Sequence, residues 1–428
     1  MELSRFHLLF NRGDEFFIYN SKTLSLNAIS KDAFDVLKKV EVNEIPLSEI
    51  DKNLLTFLIK EKLVCTIEEN DENFIDKLEY RKRFQSFVDR TLSLVIAPTL
   101  TCNFACPYCY EKDLPQLIMG REVEDGIINF IEKFKDTCTG LELCWDGGEP
   151  LIGFNTIKSL TEKIREKSSI KIKYQSIVTN GYLISPEICN FFAANGLNLA
   201  QITIDGSPET HNKTRILKNG KPTYERIIKN IDLLSEIAPQ CKVIVRTNIH
   251  NDNKNEFITM HDIWTKRWAN RNVSLVPAFV MQNEYCKVNC CTPREKSDFY
   301  KKLKEHGIIK QRVMPITEPG HCTATKENSY VISPTGNLYK CWNDIGMKKY
   351  CIGNVFIGIK NNDLIAKYIV GSDKFKDKKC KDCCLFPICD GGCNKIRIKN
   401  IEKDTNYSLC PFDKIGIEDM LYDYYLNK

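Results

Sequence analysis

The chain has 428 residues, 43% hydrophobic and 27% charged, the balance of a soluble globular protein with more length than one small domain needs. Its 61 Lys and Arg against 56 Asp and Glu leave a net charge of +5, with no long block of one sign, so no nucleic-acid footprint is indicated. No run approaches the roughly 18–20 apolar residues of a membrane span, and charges interrupt "MELSRFHLLFNRGDEFF" where a signal peptide has its apolar core. No membrane partner is expected, and a cytoplasmic location is.

In chain order, "FHLLFN", "EFFIYN" and "TLSLNAI" read as short strands separated by polar turns. "SKDAFDVLKKV" follows as a helix opened by a serine cap, and "LSEIDKNLLTFLIKEKLVC" as a helix pair ending in a strand. Residues 1–85 are therefore expected to form a small winged-helix-like α+β module. From about residue 90 the pattern changes. The β-branched runs "LSLVIAP", "LELCW", "IKYQSIVT", "LAQITID", "KVIVRTN" and "VSLVPAFV" each precede a helical segment, which predicts βα units on a parallel sheet. Six such units make a partial (β/α)6 barrel of the TIM type over 90–290, and the fold class is α/β. Residues 291–428 are rich in Gly, Pro and Cys, and read as a separate Cys-rich domain.

Polar motifs stand just after the strands: "TCNFACPYCYE", "DGGEP", "TNG" and "DGSPETHNKTR". In parallel α/β folds the ligand site gathers at the carboxyl ends of the strands, so these motifs are expected to converge. The chain has 20 cysteines. A reducing compartment disfavours disulfides, which turns clustered thiols into candidate metal ligands. Cys102, Cys106 and Cys109 offer three soft thiolates from one loop, suited to an iron–sulfur cluster with one open iron, or to zinc with a distant fourth ligand.

This spacing, with the aromatic Tyr108 before the last cysteine, resembles the cluster loop of radical S-adenosylmethionine (radical SAM) enzymes, and the resemblance covers about residues 93–290. It implies a [4Fe–4S] cluster whose open iron chelates the amino and carboxylate groups of S-adenosylmethionine. Reductive cleavage then yields a 5′-deoxyadenosyl radical that takes hydrogen from substrate, the hard chemistry belonging to the cofactor. The family's glycine-rich segment is matched by Gly147, Gly148, Glu149 and Pro150, glycine permitting close backbone approach to the methionine amino group. Thr203 and Arg215 match the positions that touch ribose and carboxylate, and Val280 the adenine contact. Singly, each is also a turn, a surface arginine or a core valine; in order behind the triplet they form a set.

The tail resembles the seven-cysteine SPASM extension of such enzymes. Cys322 is followed by thirteen residues, Gly336, four residues and Cys341; then come Cys380-x2-Cys383-x5-Cys389-x3-Cys393 and, sixteen residues on, Cys410. The resemblance implies two auxiliary [4Fe–4S] clusters, making three in all: Cys322, Cys341 and Cys393 for the first, Cys380, Cys383, Cys389 and Cys410 for the second. Two zinc ribbons are the alternative. The first set has three cysteines only, leaving either a distant ligand or an open iron for a substrate thiolate.

SPASM relatives modify peptides or proteins, so the resemblance implies a maturase of a ribosomally synthesised precursor peptide, held by its leader on the N-terminal module through strand addition. The expected product is a Cys thioether crosslink of the sactipeptide or ranthipeptide type, and an electron donor such as flavodoxin or ferredoxin is implied. Carbon–carbon crosslinking, residue oxidation or epimerisation, and formylglycine formation by an anaerobic sulfatase-maturing enzyme are the alternatives. The last group carries an aspartate directly after the cysteine matching Cys341, where this chain has Trp342 and Asn343. A protein that keeps its clusters for electron transfer alone has no use for "GGEP" and Arg215.

Overall fold

The computed structural model describes residues 1–111, 114–280, 286–309, 322–403, 406–410 and 414–427. Its contacts define two compact units: one joins Met1–Val88 to Tyr300–Cys322 and Lys367–Lys428, the other joins Asp89–Phe299 to Thr323–Ala366. The division differs from three consecutive segments, because part of the Cys-rich tail belongs to each unit.

In the first unit, β1 (Glu2–Leu3) pairs with β5 (Val64–Cys65), while β2 (His7–Arg12), β3 (Glu15–Asn20) and β4 (Ser25–Ile29) form an antiparallel meander. Helices α1 (Lys31–Glu41), α2 (Lys52–Lys60) and α3 (Asp71–Val88) accompany them. Ser30 caps α1 by accepting from Ala33 N at 3.2 Å, satisfying a backbone donor that the first turn leaves open. Alternation along the strands loads both faces of the meander. Leu9 and Ile18 join Leu37, Val40, Leu58 and Leu63 on one side. Leu8, Phe10, Phe17, Tyr19 and Leu26 pack on the other side with Ile388, Ile417 and Leu421. The last two belong to the helix Lys414–Leu426, so the C-terminal end of the chain covers its N-terminal sheet. Arg12 fixes that helix by ion pairs to Glu418 at 3.2 Å and Asp419 at 2.7 Å.

In the second unit, β6 (Thr91–Ile96), β7 (Gly140–Trp145), β8 (Ile172–Thr179), β9 (Leu199–Thr203), β10 (Lys242–Ile249) and β11 (Val273–Phe279) are parallel neighbours in that order. The six expected βα units are present. Helices α4 (Arg121–Glu132), α5 (Phe154–Lys167), α6 (Pro186–Ala194) and α9 (Phe257–Arg267) each follow one strand, α7 (Pro208–Thr214) and α8 (Tyr224–Ile237) together follow β9, and the helix Pro293–Glu305 comes after β11 in the chain. Leu92, Leu94, Leu141, Leu143, Ala200, Ile202, Val243 and Val245 form one fully buried set. The opposite set carries Ser93, Glu142, Ser176, Thr203, Arg246 and Asn248, a polar inner face. The sheet stays open, because β6 pairs again with β12 (Ser329–Ile332), in parallel, followed by β13 (Asn337–Tyr339), β14 (Gly353–Asn354) and β15 (Gly358–Ile359). This extension is why residues 323–366 join the barrel unit.

Phe17 is fully buried, stacked on Phe10 at 5.1 Å and edge-on to Tyr425 at 4.8 Å. Phe17→Ala is expected to destabilise the first unit by about 3–5 kcal/mol, read as a lower denaturant midpoint of its unfolding transition; a shift under about 1 kcal/mol would mean that the C-terminal helix is not held by this face.

Candidate active site

The cysteine triplet lies on the loop that leaves β6. Thr99 Oγ1 donates to Leu117 O at 2.6 Å and accepts from Thr101 N at 2.9 Å, closing the base of the loop. Ala105 N donates to Ile216 O (3.0 Å), Lys218 N to Asn103 O (2.9 Å) and Lys287 N to Pro107 O (3.3 Å), so segments after β9 and β11 hold it from both sides. Burial pushes the Cys102 thiol up to about 12 and Cys109 up to about 11; Cys106 is also raised by burial, against the pull of Arg215. Such thiols become thiolates only as a cation binds, releasing protons. Among the described residues no three His, Cys, Asp or Glu side chains converge as they would round a single metal ion.

The "GGEP" turn after β7 packs directly on that loop. Gly148 N donates to Thr99 O at 3.3 Å and Glu149 N to Thr101 O at 2.9 Å. A Cβ on Gly147, at φ +120°, would lie 2.4 Å from Thr99 O, and one on Gly148 would lie 2.5 Å from both Leu100 O and Thr101 O. The glycines thus allow backbone to touch the cluster loop itself, a nearer reason than the approach to methionine inferred from sequence. Glu149 is fully buried. Its Oε1 accepts from Thr179 Oγ1 (2.6 Å) and Leu151 N (3.1 Å), and its Oε2 from Asn180 N (2.7 Å). Burial raises its pKa while these donors oppose the rise. Pro150 opens the short turn Pro150–Gly153. Glu149 is a clamp between the ends of β7 and β8.

Tyr108 is the centre of a second cluster. Its hydroxyl donates to Asp205 Oδ2 and accepts from Arg215 Nη1 at 3.0 Å and Asn248 Nδ2 at 3.3 Å. Asp205 also accepts from Thr214 Oγ1 and from Asn248 N, both at 3.2 Å. The Arg215 guanidinium lies 5.5 Å over the Phe104 ring. Its backbone is fixed through His211, fully buried and held neutral because burial pushes its pKa far down. Nδ1 of that ring accepts from Asp205 N at 3.2 Å, so Nε2 carries the proton and donates to Thr223 Oγ1 at 3.0 Å, whose hydroxyl donates to Arg215 O at 2.5 Å. Thr203, at the end of β9, stands opposite Arg246. Val280 is 8% exposed and extends β11, donating to Ile249 O at 3.0 Å.

Among the described residues, Arg215 Nε and Asn103 Nδ2 are buried donors in this region that have no partner. Unsatisfied buried N–H groups are costly in isolation and suit an anionic ligand. Asp205, His211, Asn248 and two acids escaped the sequence reading: Glu111, raised by burial, and Asp146, raised by burial and then by Glu111. The available signal was position: Asp146 and Asp205 each follow the end of an apolar strand, and Asn248 lies on the inner face of β10.

The tail cysteines divide between the units. In the first, Cys410 is near enough to raise the Cys380 thiol, Cys380 and Cys383 the Cys389 thiol, and Cys322 the Cys393 thiol, each after the larger effect of burial. Cys341 lies in the second unit, beginning the turn Trp342–Asp344. On the loop beyond β11, Cys286 and Cys290 stand sulfur to sulfur at 3.4 Å, while buried Cys291 donates to Asn251 Oδ1 at 3.5 Å.

The model of the radical SAM superfamily matches residues 96–263. This stretch is a radical SAM domain. The radical SAM family implies a [4Fe–4S] cluster and S-adenosylmethionine, and the residues fit them: three soft thiolates on one loop beside two unpartnered buried donors. The cysteine-type anaerobic sulfatase-maturating enzyme of Clostridium novyi is 24% identical over 351 residues, 74% of this chain and 91% of that protein. The serine-type enzyme of Bacteroides thetaiotaomicron is 24% identical over 375 residues, 75% of this chain and 87% of that one. Among solved structures, anSMEcpe with bound AdoMet superposes with a TM-score of 0.63 at 19% identity, covering 79% of this chain and 93% of that chain. Streptococcus suis SuiB bound to S-adenosylmethionine gives 0.52 at 14% identity, covering 97% and 100%. SuiB bound to precursor peptide SuiA gives 0.51 at 16%, covering 92% and 95%.

A methyl group at position 148 cannot fit without moving the backbone that carries Cys102. Gly148→Ala is expected to hold roughly four fewer iron atoms per chain after anaerobic reconstitution, with the far-ultraviolet circular dichroism unchanged; wild-type iron content would show that the loop absorbs the methyl.

Proposed function

We propose that this radical SAM enzyme matures a ribosomally synthesised precursor peptide, held by its leader on residues 1–88, and installs a Cys thioether crosslink. The observation that carries the peptide reading is the extent of the fold. Likeness to SuiB runs over 97% of the chain, too much to omit the 88-residue N-terminal segment, whereas likeness to anSMEcpe stops at 79%. In the first unit a cleft of about 240 Å³ beside β5 is lined by Lys22, which is paired with Asp71, and by Lys62, Lys77, Glu69, Asn73 and Phe74 among others, with three lysines to one acid. Its lysines suit an acidic leader, and the outer edge of β4 offers free backbone groups for strand addition.

Cys102, Cys106 and Cys109 would hold the cluster, which with bound S-adenosylmethionine supplies one-electron cleavage to a carbon radical. Arg215 Nε and Asn103 Nδ2 are the donors for the carboxylate of S-adenosylmethionine, with Tyr108 and Asp205 holding the guanidinium in place. Thr203 is assigned to the ribose, Val280 to the adenine, and Gly147, Gly148, Glu149 and Pro150 to the wall beneath the methionine. Cys380, Cys383, Cys389 and Cys410 would hold one auxiliary cluster. Cys322, Cys341 and Cys393 supply one thiolate fewer than a four-iron cluster takes, which leaves a place for a substrate cysteine. A flavodoxin or ferredoxin would deliver the electrons.

Formylglycine formation is the second reading, favoured by the sequence relatives. Against it stand Trp342 and Asn343 after Cys341, with the next acid, Asp344, fully buried; a general base has to reach its proton. Anaerobic incubation of the reconstituted enzyme with S-adenosylmethionine, reductant and a precursor peptide encoded beside its gene is expected to remove two hydrogens per event and to lower the number of alkylatable cysteines. The same mass loss with every cysteine still alkylatable would replace the thioether by a carbon–carbon bond or an oxidised residue, and a carbonyl that reacts with a hydrazide on a sulfatase-motif peptide would establish the second reading. Reversal of cleft charge, Lys62→Glu with Lys77→Glu, is expected to weaken precursor binding about tenfold, or about 1.4 kcal/mol, while 5′-deoxyadenosine formation without peptide stays at the wild-type rate.

A further inference from the structure

One of the four cysteines assigned above to the second auxiliary cluster, Cys380, lies against a buried cation. Arg397 is 5% exposed and belongs to the helix Asn394–Lys403, which begins directly after Cys393. Its N–H donates to Cys393 O at 3.0 Å. Its Nη2 points at Cys380 Sγ, 3.5 Å away, and also donates to Gly391 O at 2.7 Å. Nη1 is paired with Asp377. That aspartate in turn accepts from Lys379 N at 2.9 Å and Cys380 N at 3.4 Å, so the group that holds the guanidinium also holds the turn bearing the sulfur. Nε has no partner, although it is buried. A second ammonium, Lys374 Nζ, donates to Phe386 O and Cys389 O at 2.7 Å each. Gly391 N donates to Cys389 Sγ at 3.3 Å.

Stability alone gives a weak reason for this arrangement. One carboxylate balances Arg397, and a guanidinium nitrogen left unpaired in a buried site is costly. A cluster with four thiolates is an anion whose charge grows by one on reduction. A cation fixed against a ligand sulfur therefore favours the reduced state, and charge together with hydrogen bonds to sulfur are what set such potentials. We propose that Arg397 is a positioning and charge-balancing residue of the second auxiliary cluster, which raises its reduction potential so that it can take up an electron during turnover. This rests on the reading that Cys380, Cys383, Cys389 and Cys410 hold a cluster. Because its backbone continues from Cys393 while its side chain reaches Cys380, Arg397 also joins the two cysteine sets by one helical turn.

The test uses the full chain with Cys102, Cys106 and Cys109 changed to alanine, which removes the signals of the first cluster. Iron per chain and redox titrations followed by electron paramagnetic resonance are compared for this protein and its Arg397→Gln and Arg397→Lys forms. The wave of interest is the one abolished by Cys383→Ala with Cys389→Ala. Arg397→Gln is expected to keep its iron and to move that wave to more negative potential, and Arg397→Lys to stay closer to the unsubstituted protein. Full iron with an unmoved wave in Arg397→Gln would overturn the proposal, as would loss of the cluster in both arginine variants, which would make the role one of assembly. If Cys383→Ala with Cys389→Ala leaves iron content and every wave unchanged, the underlying cluster assignment fails instead.

Discussion

The turn after β7 has to lie in van der Waals contact with the backbone that leads to Cys102, and this close approach governs the second unit. Two successive residues without side chains permit it, since a Cβ on either would stand about 2.5 Å or less from a carbonyl oxygen of Thr99, Leu100 or Thr101. Glu149 then fixes the distance by binding the last residue of β8, Thr179, through one carboxylate oxygen and the first residue beyond it, Asn180, through the other. Three strand ends become one rigid rim, on which a loop of three cysteines is held with little regular structure of its own. Burying a carboxylate is expensive unless its lone pairs are matched, and here three donors match them.

A similar balance holds on the far side of the loop. Arg215 and Asp205 are both buried, yet they meet chiefly through Tyr108, whose hydroxyl accepts from one and donates to the other. The tyrosine lies between two cluster cysteines in sequence, so orientation of the loop and orientation of the arginine are a single geometric fact. The neutral His211 extends the same constraint to the backbone of Arg215. What stays unmatched, Arg215 Nε and Asn103 Nδ2, is what a ligand would satisfy.

Residue type made the strands legible. "EFFIYN" and the six β-branched runs became strands because β-branched and aromatic residues suit the extended chain, whose two faces are both covered in β3 and in the second half of β6, and Ser30 became a cap because a hydroxyl before a helix has one short-range partner to find. The cysteine spacings stood out because clustered thiols of one residue type are recognisable in a sequence without knowledge of the fold. Asp205 and His211 were hidden, since each matters through partners distant in sequence or through a tautomer fixed by folding. The division of the tail was hidden for the same reason: nothing local in "SYVI" says that it pairs with β6, and nothing local in residues 414–426 says that they cover β3.

That second long-range contact bears on how recognition and cluster chemistry are separated experimentally. Within the first unit Phe6 stacks on Phe386 at 6.1 Å, Ser21 Oγ donates to Cys384 O at 2.5 Å, and Phe17 supports the terminal helix. The strands proposed to receive a leader are therefore also the floor beneath Cys383, Cys389 and their neighbours. Removing residues 1–88 would expose Ile388, Ile417 and Leu421 together, and the resulting loss of activity would report on the cysteine ladder as much as on peptide binding. Exposed charges at the cleft can change without disturbing that floor. A precursor that adds a strand at β4 would, in turn, rigidify the sheet on which the cysteine segment is built, so that the proposed peptide binding and the stability of that segment draw on the same packed side chains.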